Sequence, residues 1–122
     1  MRPTRKIAAT IGFVAGAALC AFAVHAANEP APQVIKINAS KFHFEPDHIT
    51  LHQGQPVTLE LTSSDATHGF MIRTLKIDTD IKPGKVTDVT VTPATAGNFV
   101  AICDHYCGVG HGMMKLKVEV KP

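Results

Sequence analysis

From Val34 to the C-terminus, apolar residues recur at every second position in short stretches separated by turn formers. This period of two predicts half-buried strands, and no segment here sustains ten residues of clean helical periodicity. Residues 34–38 form the first expected strand. Phe42, Phe44, Ile49 and Leu51 follow, interrupted at Pro46, which suits an edge or a bend. Gly54-Gln55-Pro56 is a turn, and residues 57–62 carry Val57, Leu59 and Leu61 on one face. Residues 69–72 and 75–77 make shorter pieces, the charged stretch 78–82 reads as a surface loop, and Pro83-Gly84 turns the chain again. Residues 86–92 alternate through Val89 and Val91, residues 98–103 follow Gly97, and residues 115–120 alternate Leu116, Val118 and Val120 with charges. Several short strands at near-regular spacing predict an all-β sandwich or small barrel.

The first part of the 122-residue chain has a different pattern. Arg2, Arg5 and Lys6 precede an uncharged apolar run over residues 7–24, and Val24-His25-Ala26 offers small residues before a cut after Ala26. That layout predicts a secretory signal peptide over residues 1–26, with an uncleaved membrane anchor as the alternative reading of the same run. Cys20 within it reads as a small apolar residue. Residues 27–33, with Pro30 and Pro32, read as a tether, which leaves residues 34–122 as one domain. The predicted location is periplasmic, with membrane contact only where the first segment is retained.

Export changes the charge balance. The whole chain has twelve Lys/Arg against ten Asp/Glu, but without Arg2, Arg5 and Lys6 nine basic residues face ten acidic ones. The mature domain is near neutral and has no basic patch of the kind nucleic-acid binding requires. Of three cysteines, only Cys103 and Cys107 remain after cleavage.

Those two open the most informative stretch, Cys103-Asp104-His105-Tyr106-Cys107-Gly108-Val109-Gly110-His111-Gly112-Met113-Met114. Two thiols, an imidazole and a thioether recur at intervals of four, four and three residues. Soft sulfur ligands with imidazole favour copper. Three glycines within the run argue against a helix and let the backbone fold closely around an ion. The alternative is a Cys103–Cys107 disulfide in an oxidising compartment. A ligand from a second segment is expected, and His68 is the candidate. It follows the turn-forming Ser63-Ser64-Asp65-Ala66-Thr67 and precedes the apolar Gly69-Phe70-Met71, so it sits on a loop at a sheet end. A loop histidine bonding only its neighbours is the competing reading. His43, His48 and His52 read as solvent-facing residues rather than a second copper-capture patch. Tyr106 either stacks beside the metal or lends surface to a partner.

The order His, Cys, His, Met, closing on a C-terminal strand, resembles the cupredoxins. Cys-x-x-x-Cys-x-x-x-His-x-x-Met spacing is similar to the binuclear CuA centre of cytochrome c oxidase subunit II and of nitrous oxide reductase. The nearest likeness is to subunit II of the B-type haem–copper oxidases. It rests on Phe42-His43-Phe44-Glu45-Pro46, Thr62-Ser63-Ser64-Asp65-Ala66-Thr67-His68-Gly69-Phe70, Lys82-Pro83-Gly84 and Ile102-Cys103-Asp104-His105-Tyr106-Cys107-Gly108-Val109-Gly110-His111. The resemblance implies a cupredoxin-like Greek-key β-sandwich or barrel holding two copper ions. It implies that Cys103 and Cys107 bridge both metals, that His68 and His111 take one each, and that Met114 and the main-chain oxygen of His105 complete them. Family members often carry Glu or Gln where this chain has His105. Met113 is expected to pack near the site.

The function so implied is one-electron transfer from a c-type cytochrome or similar donor towards a terminal oxidase or reductase. No residue group suited to acid–base or nucleophilic catalysis stands out, so the domain itself reads as a carrier rather than an enzyme. Copper delivery to an oxidase, a mononuclear blue copper centre with Cys103 spare, and a metal-free disulfide sandwich are the alternatives.

Overall fold

The computed structural model describes residues 31–122, so the expected signal segment and most of the tether lie outside the described residues. Nine strands form two sheets among the described residues. They are β1 (Gln33–Ser40), β2 (His43–Glu45), β3 (His48–His52), β4 (Val57–Ser63), β5 (His68–Ile72), β6 (Ile77–Ile81), β7 (Thr87–Val91), β8 (Gly97–Ile102) and β9 (Lys115–Lys121). One sheet has the order β2-β1-β4-β7 and the other β3-β9-β8-β5-β6. Pro46 lies where the chain leaves the first sheet and joins the second, as its missing N–H donor suits. The excursion through β2 and β3 lets β4 return parallel to β1, and β9 pairs parallel with β3. The remaining strand pairs are antiparallel.

Alternation decides which side chains meet between the sheets. Ile37 and Ala39 of β1 and Val57, Leu59 and Leu61 of β4 face Ile49, Leu51, Phe70, Ile72, Leu116, Val118 and Val120 from the other sheet. Phe44 and Phe70 meet edge to face at 5.5 Å between centroids, an arrangement that adds about 1 kcal/mol to their area burial. This core is continuous and ends at the loop between β8 and β9, where Cys103, Cys107 and Met114 join it.

Two local expectations are corrected. The charge of residues 78–82 suggests a loop, yet most of them belong to β6, an edge strand paired with β5. Ile77 and Ile81 are buried while Asp78 and Asp80 point outward, so the charges occupy the solvent face of an alternating strand. Residues 73–75 form a 3-10 turn closed by Lys76 in the left-handed conformation, and the piece expected at 75–77 becomes the start of β6.

Candidate metal centre

The thiols come from the end of β8 and the loop after it. Cys103 follows the last residue of β8, and its N–H donates to the Met114 carbonyl at 3.3 Å, extending the β8–β9 ladder to the mouth of the loop. Gly108, at φ +143, adopts a conformation L side chains rarely take and turns the chain back. A 3-10 turn over His111–Met113 then closes, with the Met113 N–H on Gly110 and the Met114 N–H on His111. Three residues per turn bring positions i and i+3 into register, so His111 and Met114 lie along one side of it.

His68 is the first residue of β5 rather than a loop residue, and it is wholly buried. Its position directly after the 63–67 turn is as the sequence indicates, but the ladder to β6 fixes its backbone through the His68–Ile81 pair. A ligand atom of His68 and the Sγ atoms of Cys103 and Cys107 all lie within 4.8 Å of one another. The two thiols are free, 3.7 Å apart, well beyond the roughly 2 Å of a disulfide bond.

The polar atoms around these thiols separate into satisfied and orphaned. Nε2 of His68 donates to Asp65 Oδ1 at 2.7 Å, which leaves Nδ1 as the ring nitrogen open to a metal. That Nδ1 is buried without a partner, and so is Nδ1 of His111. Buried polar atoms are nearly always paired, so an orphaned His68 nitrogen beside two thiols marks a place for a ligand, while His111, on the same loop as Cys107, lies outside the group formed by His68, Cys103 and Cys107. The Cys103 thiol reaches the His105 carbonyl at 3.2 Å, while the His105 ring turns outward, its Nδ1 3.8 Å from Asp80 Oδ1. Met114 is buried at the core end of the loop. Two thiolates, two imidazole nitrogens, a thioether and a carbonyl fit copper by ligand softness.

Electrostatics follow from this packing. Burial pushes the Cys107 thiol up to about 11, reinforced by the neighbouring Cys103, so the metal-free thiol stays protonated at neutral pH. For Asp65 burial works in the upward direction, but hydrogen bonds from His68, the Lys41 N–H and the Ala66 N–H outweigh it and hold the carboxyl down to about 2. Asp104 is raised by partial desolvation and by its neighbours Asp78 and Asp80.

Several contributors escape sequence reasoning. Asp65 is one residue of a turn-forming run; its place three residues before His68 is the available signal. Gly69 reads in sequence only as a strand start, yet a Cβ there would fall 2.6 Å from the His105 nitrogen and 2.8 Å from that of Asp104. The thiol loop crosses directly over β5, and only glycine admits it. Met113, expected against the site, is 79% exposed, because the 3-10 turn directs His111 and Met114 inward and leaves it on the outer side. Tyr106 is open to solvent and meets the His111 ring edge to face at 5.3 Å, an arrangement compatible with both readings of it. His43, His48 and His52 are exposed and sit on β2 and at the two ends of β3.

The model of the family described as Cupredoxin-like domain matches residues 11–114. The chain belongs to the cupredoxin-like family. Among relatives, it is 33% identical over 92 residues to a cytochrome c oxidase subunit 2 of Thermus thermophilus, covering 75% of this chain and 68% of that one. A subunit 2 from a named strain of the same species matches at the same identity, and there the chain spans 55% of the relative's length. Among solved structures, this cupredoxin domain is similar to a chain of a heme-copper terminal oxidase dimer, with TM-score 0.67 and 25% identity over 75% of this chain and 66% of that one. The periplasmic domain of cytochrome oxidase subunit II from Bradyrhizobium japonicum shares the fold, with TM-score 0.68 and 17% identity over 75% of this chain and 86% of that one. Among the described residues no helix is long and apolar enough to cross a membrane.

Proposed function

We propose that this cupredoxin is a CuA-type electron-transfer domain holding two copper ions. Cys103 and Cys107 would bridge the metals, His68 and His111 would each give Nδ1, and Met114 and the His105 carbonyl would complete the set. The observation that carries the reading is the pair of free thiols 3.7 Å apart grouped with His68, whose Nδ1 is buried without a partner. A mononuclear centre would leave the buried Cys103 thiol unused beside its neighbour.

Copper held by these residues would supply a one-electron redox site. The chain's residues do the rest. Asp65 holds the His68 ring in the tautomer that presents Nδ1, and the wholly buried ring excludes water from that side. The core around Cys103, Cys107 and Met114 keeps the sulfurs in a low-dielectric shell, which sets the potential. Tyr106, exposed and in edge contact with His111, gives an incoming donor an aromatic surface one contact from a ligand.

The partners on this reading would be oxidase subunits and an electron donor such as a c-type cytochrome, which the relatives' name, cytochrome c oxidase subunit 2, supports. On this reading residues 34–122 are the working domain and residues 1–26 the export segment, with the domain in the periplasm. Copper counting with electron paramagnetic resonance tests the proposal. Two coppers per chain and a seven-line hyperfine pattern are expected. One copper with four lines would replace it with a mononuclear centre.

A further inference from the structure

Phe42 gives no ligand and is not among the wholly buried core residues, yet its ring is the surface on which the second ligand loop rests. A Cβ at Gly108 would fall 2.9 Å from Phe42 Cε1, and one at Gly110 2.6 Å from Phe42 Cγ and Cδ2. Both glycines therefore lie flat against the ring, on the segment between Cys107 and His111. The adjoining residue reaches the other ligand loop. The Lys41 N–H donates to Asp65 Oδ2 at 2.7 Å, and Asp65 Oδ1 accepts from His68 Nε2 at 2.7 Å. The β1 end is further tied to the same loop, with the Ser64 N–H on the Ala39 carbonyl at 3.0 Å and Ser64 Oγ donating to Asn38 Oδ1 at 2.6 Å.

We propose that the turn at Lys41 and Phe42 is a positioning element for the metal centre, tying the loop that leads into His68 to the loop that carries Cys107 and His111. This rests on the copper reading above. The turn at Lys41 and Phe42 lies between β1 and β2 of the first sheet, the 64–67 loop leads from β4 of that sheet to His68 at the start of β5 in the second, and the Cys107–His111 loop joins β8 and β9 of the second. At this end the turn holds the β4–β5 loop by one hydrogen-bonded carboxylate, and its aromatic ring reaches the β8–β9 loop of the other sheet. Without the ring, the segment 108–110 keeps its turn but loses the wall that holds it against the sulfurs. Groups that orient ligands without touching the metal change affinity about 10–100-fold when removed.

Phe42→Ala and Phe42→Leu in the full chain test this. In copper-loaded Phe42→Ala, transfer of copper to a copper(I) chelator should speed about 10–100-fold, and the hyperfine pattern should change. Phe42→Leu, which still covers the glycines, should recover most of both. In the metal-free protein, alkylation of Cys107 by iodoacetamide should accelerate at least tenfold in Phe42→Ala, with the strand circular dichroism unchanged. Wild-type release, spectrum and alkylation rate in Phe42→Ala would overturn the proposal. Should the wild-type chain take up no copper, the functional reading falls, and the alkylation rates alone decide whether the turn holds the loop.

Discussion

Replacing Gly69 by Ala probes the crossing that brings the thiol loop onto the histidine strand. The added methyl would lie 2.6 Å from the His105 nitrogen and 2.8 Å from the Asp104 nitrogen, besides meeting the Asp104 carboxylate. Ordinary contact begins near 3.4 Å, so the loop backbone must retreat by about 0.6–0.8 Å, and backbone gives less readily than a side-chain tip. Overpacking of this kind costs about 1–3 kcal/mol. In a domain of this size each kcal/mol moves Tm by about 4–8 °C, so the metal-free variant should melt about 5–20 °C lower. The same retreat carries the His105 carbonyl away from Cys103 Sγ, now 3.2 Å distant, and copper affinity should fall about tenfold or more. Calorimetry of the metal-free protein and copper competition with a chelator measure the two effects. Gly112→Ala is the control, because nothing lies within 4 Å of a Cβ there and its cost should stay within about 0.5 kcal/mol. If Gly69→Ala melts and binds like Gly112→Ala, the loop does not cross β5 as described.

Cys103→Ser should abolish the seven-line mixed-valence signal, since an alcohol cannot bridge as a thiolate does; paramagnetic resonance of the reconstituted variant checks this. Asp65→Asn removes the carboxylate beside His68, so the reduction potential should rise and copper affinity fall about tenfold, read by protein-film voltammetry and chelator competition. Because Asp65 is held at about 2, below its ordinary 3.8, the stability it contributes is present above pH 3.8 and lost as the pH falls towards 2. Acid titration of Asp65→Asn should therefore show a shallower decline over that window than wild type. Cys107, pushed up to about 11, must release its proton to bind metal, so apparent copper affinity should gain about tenfold per pH unit from this thiol between pH 6 and 8. A flat affinity across that range would mean that the metal-free thiol is already ionised at pH 6, against the upward shift. The sign for folding is opposite: the raised thiol favours the metal-free fold below pH 9.0 and loses that contribution as the pH climbs through about 11.

What the sequence determined by itself is local. A period of two assigns inward and outward faces along each strand, so β4 and β9 were legible almost to the residue. The sulfur and imidazole spacing after Cys103 marks out a candidate ligand loop, because the donors and the glycines that let it turn are all within twelve residues. The same locality explains the errors. Charge concealed β6, since Asp78 and Asp80 look like loop residues until pairing with β5 shows that Ile77 and Ile81 face inward. Met113 and Met114 are equivalent in composition, and only the phase of the 3-10 turn separates the exposed thioether from the buried one.

Only the tertiary structure decided how distant segments meet. That His68 stands within reach of thiols 35 and 39 residues away depends on β5 lying beside β8 in one sheet. That Asp65, Gly69 and Phe42 serve the same site depends on a carboxylate, a missing side chain and a ring converging from both sheets. Sequence period reports the face of a strand, because side-chain direction follows from backbone geometry alone. It carries no information about which strand is the neighbour, because that choice belongs to the core as a whole, and the ligand cage is assembled by that choice.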